Sequence, residues 1–196
     1  MKRGALPRRR QRGMVLIAVL VVLMLTLLGG IGVMQSVQTG NAMAGNFSFR
    51  QAAMQASDRA VSDAMTQLAN RVPGGLGNTE VANLYLPTIG AADATGVPTS
   101  INWANVPCVD ERGALVSSCA TDAGNYRVQY VIERRCSAVP NFTNIATIRA
   151  VCEYEPRDTA VSASTIALRY RVVIRVRGPR GTESLFEAVV SGPAST

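Results

Sequence analysis

The residues most able to do covalent chemistry in this 196-residue chain are its four cysteines, Cys108, Cys119, Cys136 and Cys152, all in the second half. In an oxidising compartment, thiols spaced in this way form disulfides. Four cysteines allow three connectivities. Sequential pairing, Cys108 with Cys119 and Cys136 with Cys152, closes the shorter loops and is the expectation. A zinc site is disfavoured, because there is no C-x₂₋₄-C pair and the chain has no histidine. The missing histidine also removes Ser-His-Asp triads, Cys-His pairs and histidine-ligated metals. No Walker loop or strand-linked G-x-G-x-x-G occurs, and the carboxylates are scattered without an acid–base pair. The expectation is a protein without catalysis, cofactor or metal.

Charge is the second kind of chemistry the chain could offer. Arg169, Arg171, Arg175 and Arg177 recur at alternate positions of one stretch. A row of this kind is expected to be a solvated sheet face that resists edge aggregation. Its other use is to bind DNA or an acidic partner. The formal charge of +7 does not favour nucleic acid, because much of it sits at the start of the chain. Lys2, Arg3, Arg8, Arg9, Arg10 and Arg12 precede the first apolar run, and the rest of the chain carries 14 basic against 13 acidic residues.

That apolar run is residues 14–34, MVLIAVLVVLMLTLLGGIGVM, with Thr26 its one polar side chain and no charge. About 20 such residues match the ~30 Å hydrocarbon layer of a bilayer. The basic cluster before the run places the N-terminus in the cytoplasm and the cysteine-bearing remainder across the membrane. Helical signals continue beyond the run. Ala53, Ala56, Ala60, Ala64 and Leu68 recur at spacings of three and four, and Ala52, Val61 and Met65 widen that stripe. Gln51, Gln55, Ser57, Asp58, Asp63 and Gln67 supply polar faces. Gly29, Gly30, Gly32, Gly40 and Gly45 are weak points at which the helix could bend. Pro73-Gly74-Gly75 ends it.

Residues 73–123 read as long loops, with a short helix or strand near 80–86, tacked to the core by Trp103 and Cys108. Strands are expected where Tyr126, Val128, Tyr130 and Ile132 alternate with polar residues, and over 166–177, the cleanest period-two pattern of the chain. Gly178-Pro179-Arg180-Gly181 is a turn, returning as a strand over 184–191. Residues 144–154, NIATIRAVCEY, are a weaker strand candidate. The fold class is therefore α+β: a long N-terminal helix, part transmembrane and part amphipathic, packed on the one apolar face of an antiparallel sheet with disulfide-tied loops.

The junction Gln11-Arg12-Gly13-Met14 resembles a prepilin leader, in which a basic segment ends in glycine directly before the apolar span. The stretch Asn41-Ala42-Met43-Ala44-Gly45-Asn46, followed by Arg50, Gln51-Ala52-Ala53 and Gln55-Ala56, is similar to the PilX family of type IV pilus minor pilins. The resemblance covers about residues 11–70 well and the last strand pair loosely. It implies a pilin-like fold, cleavage between Gly13 and Met14 by prepilin peptidase, and N-methylation of Met14. The chain then divides into a leader at 1–13, a helix at 14–70 and an extracytoplasmic domain at 71–196.

Most pilins carry glutamate at the fifth mature position, and here that position is Ala18. The resemblance implies that a subunit lacking this carboxylate sits at or near the filament tip. The implied partners are other minor pilins and the major pilin through the N-terminal helix, the inner-membrane assembly platform and a tip adhesin. The implied roles are initiation of type IV pilus assembly, twitching motility and adhesion. The implied location is the inner membrane with the C-terminus in the periplasm, then the pilus. Two other readings stand beside this one: a type II secretion pseudopilin of the GspK kind, and a bitopic periplasmic binding or sensor protein.

Overall fold

The computed structural model describes residues 14–72, 75–117, 119, 126–155 and 159–194. The leader expected at 1–13, including the expected cleavage residue Gly13, lies outside the described residues. The chain divides into two compact units, the first reaching Ser48 and the second beginning at Phe49.

Helix α1 spans Met14–Arg71 and crosses the division. Its first part is built from leucine, valine, methionine and alanine with no proline, so no backbone donor is missing and no carbonyl is crowded. Its end falls one residue beyond the expected boundary. Arg71 stands in the last turn, where a cation complements the helix dipole. The Val72 N–H still donates to the Leu68 carbonyl at 3.1 Å, and Gly75 then takes φ 77°, a left-handed conformation that favours glycine. Pro73 and Gly74 lie outside the described residues.

The second unit holds a six-stranded sheet. Its strands are β1 (Tyr85–Leu86), β2 (Cys108–Val109), β3 (Leu115–Val116), β4 (Arg127–Arg134), β5 (Ala167–Arg177) and β6 (Glu183–Pro193). The order is β3-β2-β4-β5-β6, antiparallel throughout, while β1 pairs with β4 in parallel. β1 and β2 share one edge of β4: β2 meets it at Val128 and Gln129, β1 at Ile132 and Glu133. β5 and β6 pair over their full length, joined by a tight turn in which the Gly178 N–H donates to the Thr182 carbonyl at 2.9 Å.

The last turns of α1 lie on one face of this sheet. Ala53, Ala56, Ala60, Ala64 and Leu68 are buried with Val128, Tyr130, Ile132, Leu168, Tyr170, Val172, Ile174 and Val176 in one core. Alanine at four of the five helix positions lets the backbone approach the sheet closely. The stripe is narrower than its periodicity suggested. Met65 is 52% exposed, whereas Ser57 and Asp63, expected on polar faces, are buried.

Two further expectations are corrected. Residues 145–151 form helix α2 (Ile145–Val151), not a strand. The Asn144 side chain accepts from the Ala146 N–H at 2.8 Å, and this cap starts a helix despite the β-branched residues that follow. Second, the sheet does not have a single buried face. Seven of the eight residues of β4 are buried, because the loop between β1 and β2 covers the far side. There Leu86, Val106 and Val131 form a second small core with Ile101 and Trp103 against it. The arginine row of β5 is accordingly not a wholly solvated face. The Arg171 and Arg175 side chains are only 11% and 12% exposed.

Candidate functional site

Residues Met14–Met34 present an apolar surface to the surroundings along their whole length. Every residue of this stretch is exposed, Met14 to 75%. Among the described residues, α1 alone is long and apolar enough to cross a membrane. The only hydroxyl of the stretch is satisfied internally, since Thr26 Oγ1 donates to the Leu23 carbonyl at 2.9 Å. No side-chain polar group in the stretch would enter hydrocarbon without a partner. Ala18 shares a face with Val15, Val19, Val22, Leu23 and Thr26, lining a shallow apolar groove of about 430 Å³. A methyl group added at Gly29, Gly30, Gly32, Gly40 or Gly45 would meet nothing within 4 Å in the chain itself.

The structure pairs Cys108 with Cys119 and Cys136 with Cys152, the sequential arrangement. Cys136 and Cys152 belong to the main core and bridge the end of β4 to the end of α2. Cys108–Cys119 ties β2 to the segment after β3. No cysteine among the described residues is free.

Three buried polar groups were not singled out by sequence reasoning, and each positions part of the domain. Tyr130 donates its hydroxyl to Asp63 Oδ2 at 2.6 Å, linking β4 to α1. Arg134 is fully buried and reaches three acceptors: Nε to the Pro87 carbonyl, Nη1 to the Gly77 carbonyl and Nη2 to Asn78 Oδ1, each at 2.8 Å. Its guanidinium lies 5.2 Å from the centre of the Phe142 ring. Burial lowers its pKa, and among the described residues no carboxylate pairs with it. Glu133, also fully buried, accepts from the Gly90 N–H at 2.9 Å and pairs with Arg171 Nε at 2.9 Å. A signal for Arg134 was present: it continues the Val128, Tyr130, Ile132 register, so it must point into the core. Burial of Glu133 had no such signal, because the loop that covers it has no period.

On the far face of the sheet a cleft of about 650 Å³ opens between β4, β5 and the covering loop. Arg127, Gln129, Arg175 and Arg177 come from the strands, and Trp103 and Cys119 stand among the residues opposite. Gln129 Nε2 donates to the carbonyls of Trp103 at 2.9 Å and Val106 at 2.7 Å, which fixes the loop over the sheet. The Arg175 guanidinium lies 5.4 Å from the centre of the Trp103 ring. Arg175 Nη2 and Arg177 Nε both donate to Glu183 Oε2, at 2.6 Å and 2.9 Å. The bond from Arg175, with that from Arg177, holds the Glu183 carboxyl below the usual range.

No family model, no curated protein and no solved structure matches this chain.

Proposed function

We propose that this chain is a minor pilin-like subunit that promotes the start of type IV pilus assembly, at or near the filament tip. The observation that carries the reading is the uncharged apolar stretch Met14–Met34, exposed from end to end and set directly after the glycine of a basic leader. In this reading prepilin peptidase removes residues 1–13 and the stretch anchors the mature subunit in the inner membrane, with its disulfide-bonded domain in the periplasm.

Assembly then exchanges lipid neighbours for helical ones. Between apolar helices in lipid there is no hydrophobic drive, so association rests on shape, and Gly29, Gly30 and Gly32 let a second helix come close. Once the bundle leaves the bilayer for water, burying its apolar faces contributes ~25 cal/mol per Å². Several minor pilins packed in this way, with the major pilin added beneath, lower the barrier to starting a filament. The assembly motor supplies the energy, and this subunit supplies surface. With Ala18 in place of a carboxylate the subunit offers no ion pair to a neighbour above it, which suits a terminal position.

Mass spectrometry of the mature N-terminus tests the reading. The expected product begins at methylated Met14, and substitution of Gly13 leaves a precursor of unchanged size. A mature chain beginning after Ala44, or still at Met1, would remove the basis of the proposal.

A further inference from the structure

Among the described residues, the cleft on the far face of the sheet carries more positive than negative charge. Arg127 stands directly across from Arg177 in the β4–β5 register, and Gln129 across from Arg175. Like charges set opposite one another on neighbouring strands are destabilising. One carboxylate, Glu183, is bonded to Arg175 and Arg177, and a single oxygen of it serves both. Among the described residues no carboxylate lies within ion-pair distance of Arg127. Among the described residues, three guanidiniums thus face one carboxylate around a cavity whose size is that of ordinary small-ligand sites.

We infer that this cleft is a binding site for a carboxylate-bearing ligand, held by the guanidiniums of Arg127 and Arg177 with its remaining surface toward Trp103 and Ile101. The two arginines differ from Arg175 in accessibility. The Arg177 side chain is 49% exposed and Arg127 is half-buried, so both heads can turn to a ligand, whereas Arg175 is largely covered and holds Glu183. Arginine suits this task, since its planar fork matches a carboxylate with two parallel hydrogen bonds. The chain already places one carboxylate against these groups, and Glu183 is stabilised in its charged form there.

The positive excess is local, which decides the size of the ligand. Farther along the same face Arg169 is paired with Glu155, and Arg171 with Glu133 and Glu187. A nucleic acid gains affinity by laying many phosphates along a continuous basic track. Here such a strand would leave the cleft and run over carboxylates. One or two acidic groups fit, carried either by a peptide segment or by a free dicarboxylate.

Calorimetric titration of the full mature chain in detergent tests the assignment, with succinate and a blocked Glu-Gly-Glu peptide as probes. Binding of either probe is expected, the stronger one identifying the source of the carboxylate. Arg127→Gln should weaken it about tenfold and Arg127→Lys less, because charge without the fork is retained. Glu183→Gln should strengthen it by removing the internal competitor. Absence of binding by both probes up to about 10 mM, or an affinity unchanged in Arg127→Gln, overturns the site. A twelve-residue single-stranded oligonucleotide that binds more tightly than both, and loses that binding in Arg127→Gln, overturns the ligand class.

Discussion

The hydroxyl of Tyr130 donates to the carboxylate of Asp63 at 2.6 Å, between residues 67 positions apart in the chain. Both are buried, one in the central strand of the sheet and the other on the covering helix. A buried hydrogen bond to a charged acceptor is worth about 1.5–3 kcal/mol, and leaving one partner unsatisfied costs about as much or more. Tyr130→Phe and Asp63→Ala are therefore each expected to destabilise the domain by about 1–3 kcal/mol in chemical denaturation. The double variant should fall short of the sum by about 0.5 kcal/mol or more. Strict additivity would show that the two groups do not interact.

Arg134 should tolerate neither methionine nor lysine. Its three donors meet acceptors in the turn after α1 and in the chain after β1. Methionine leaves the Pro87 carbonyl and Asn78 Oδ1 without donors, at about 1–3 kcal/mol for each one that stays dry, while the Gly77 carbonyl keeps the Tyr85 hydroxyl. Lysine keeps the charge but replaces a fork with a single ammonium. Thermal unfolding or limited proteolysis of Arg134→Lys checks this, and a melting temperature equal to that of the parent refutes it.

The two disulfides should differ in what they protect. Their sequence separations, 11 and 16, are similar, so loop entropy assigns both about 3 kcal/mol. Their surroundings differ, because Cys136 and Cys152 are packed in the main core and Cys119 borders the cleft. Replacing Cys136 and Cys152 with serine buries hydroxyls there and should give the larger loss of global stability. Replacing Cys108 and Cys119 should chiefly loosen the segment beside Trp103, read as faster hydrogen exchange around β2. Equal and global acceleration in both variants contradicts the distinction.

Stability should be bounded by two titrations of opposite sign. Burial, joined at Tyr130 by the bond to Asp63, raises the phenol pKa of Tyr85, Tyr130 and Tyr170. A group raised by folding stabilises fully below its unfolded value, here about pH 10, and loses that contribution as pH climbs toward the folded value. Glu183 is lowered by Arg175 and Arg177, so its contribution is full above about pH 4.5 and is lost as pH falls through the lower folded value. Denaturation midpoints measured against pH should bend downward above pH 10, with Tyr85, Tyr130 and Tyr170 ionising only as the fold is lost. Ionisation of Tyr85, Tyr130 and Tyr170 near pH 10 in a folded chain would refute the alkaline limb.

Leucine at Gly29, Gly30 or Gly32 separates folding from assembly. A Cβ there meets no atom of the chain beyond its own helix backbone, and the stretch is exposed, so the unfolding transition of the folded domain should not move. Under the proposed function, piliation, and recovery with other pilins on purification, should fall, because a partner helix can no longer approach as closely. Normal piliation in all three variants counts against these glycines as contact points.

Periodic segments were legible in the sequence and irregular ones were not. The alternation over 166–177 located β5, and the alanines from 53 to 64 located the packed side of α1. The strand expected at 144–154 failed because Ile145, Thr147 and Val151 favour strands, while Asn144 supplies a cap that outweighs them locally. The cleft was legible only in part. Arg175 and Arg177 were visible in a row, but Arg127 was not singled out, and half of that row is covered by a loop rich in Gly, Pro, Asn and Thr, whose path no periodicity announces. Asp63 was expected on a polar face because a carboxylate on a helix is ordinarily solvated, and Tyr130 across the core makes its burial tolerable.

Thr26 closes its hydroxyl on its own helix, and that leaves the apolar stretch mute toward its surroundings. In the proposed assembly, lipid tails and sister helices meet the same hydrocarbon skin, with no hydrogen bond on it that locks an axial position or a rotational setting. A rod of this kind can slip and turn during transfer between the two without breaking a bond. Whatever vertical offset sister subunits finally adopt must then be dictated by the contour of the rods and by their folded heads.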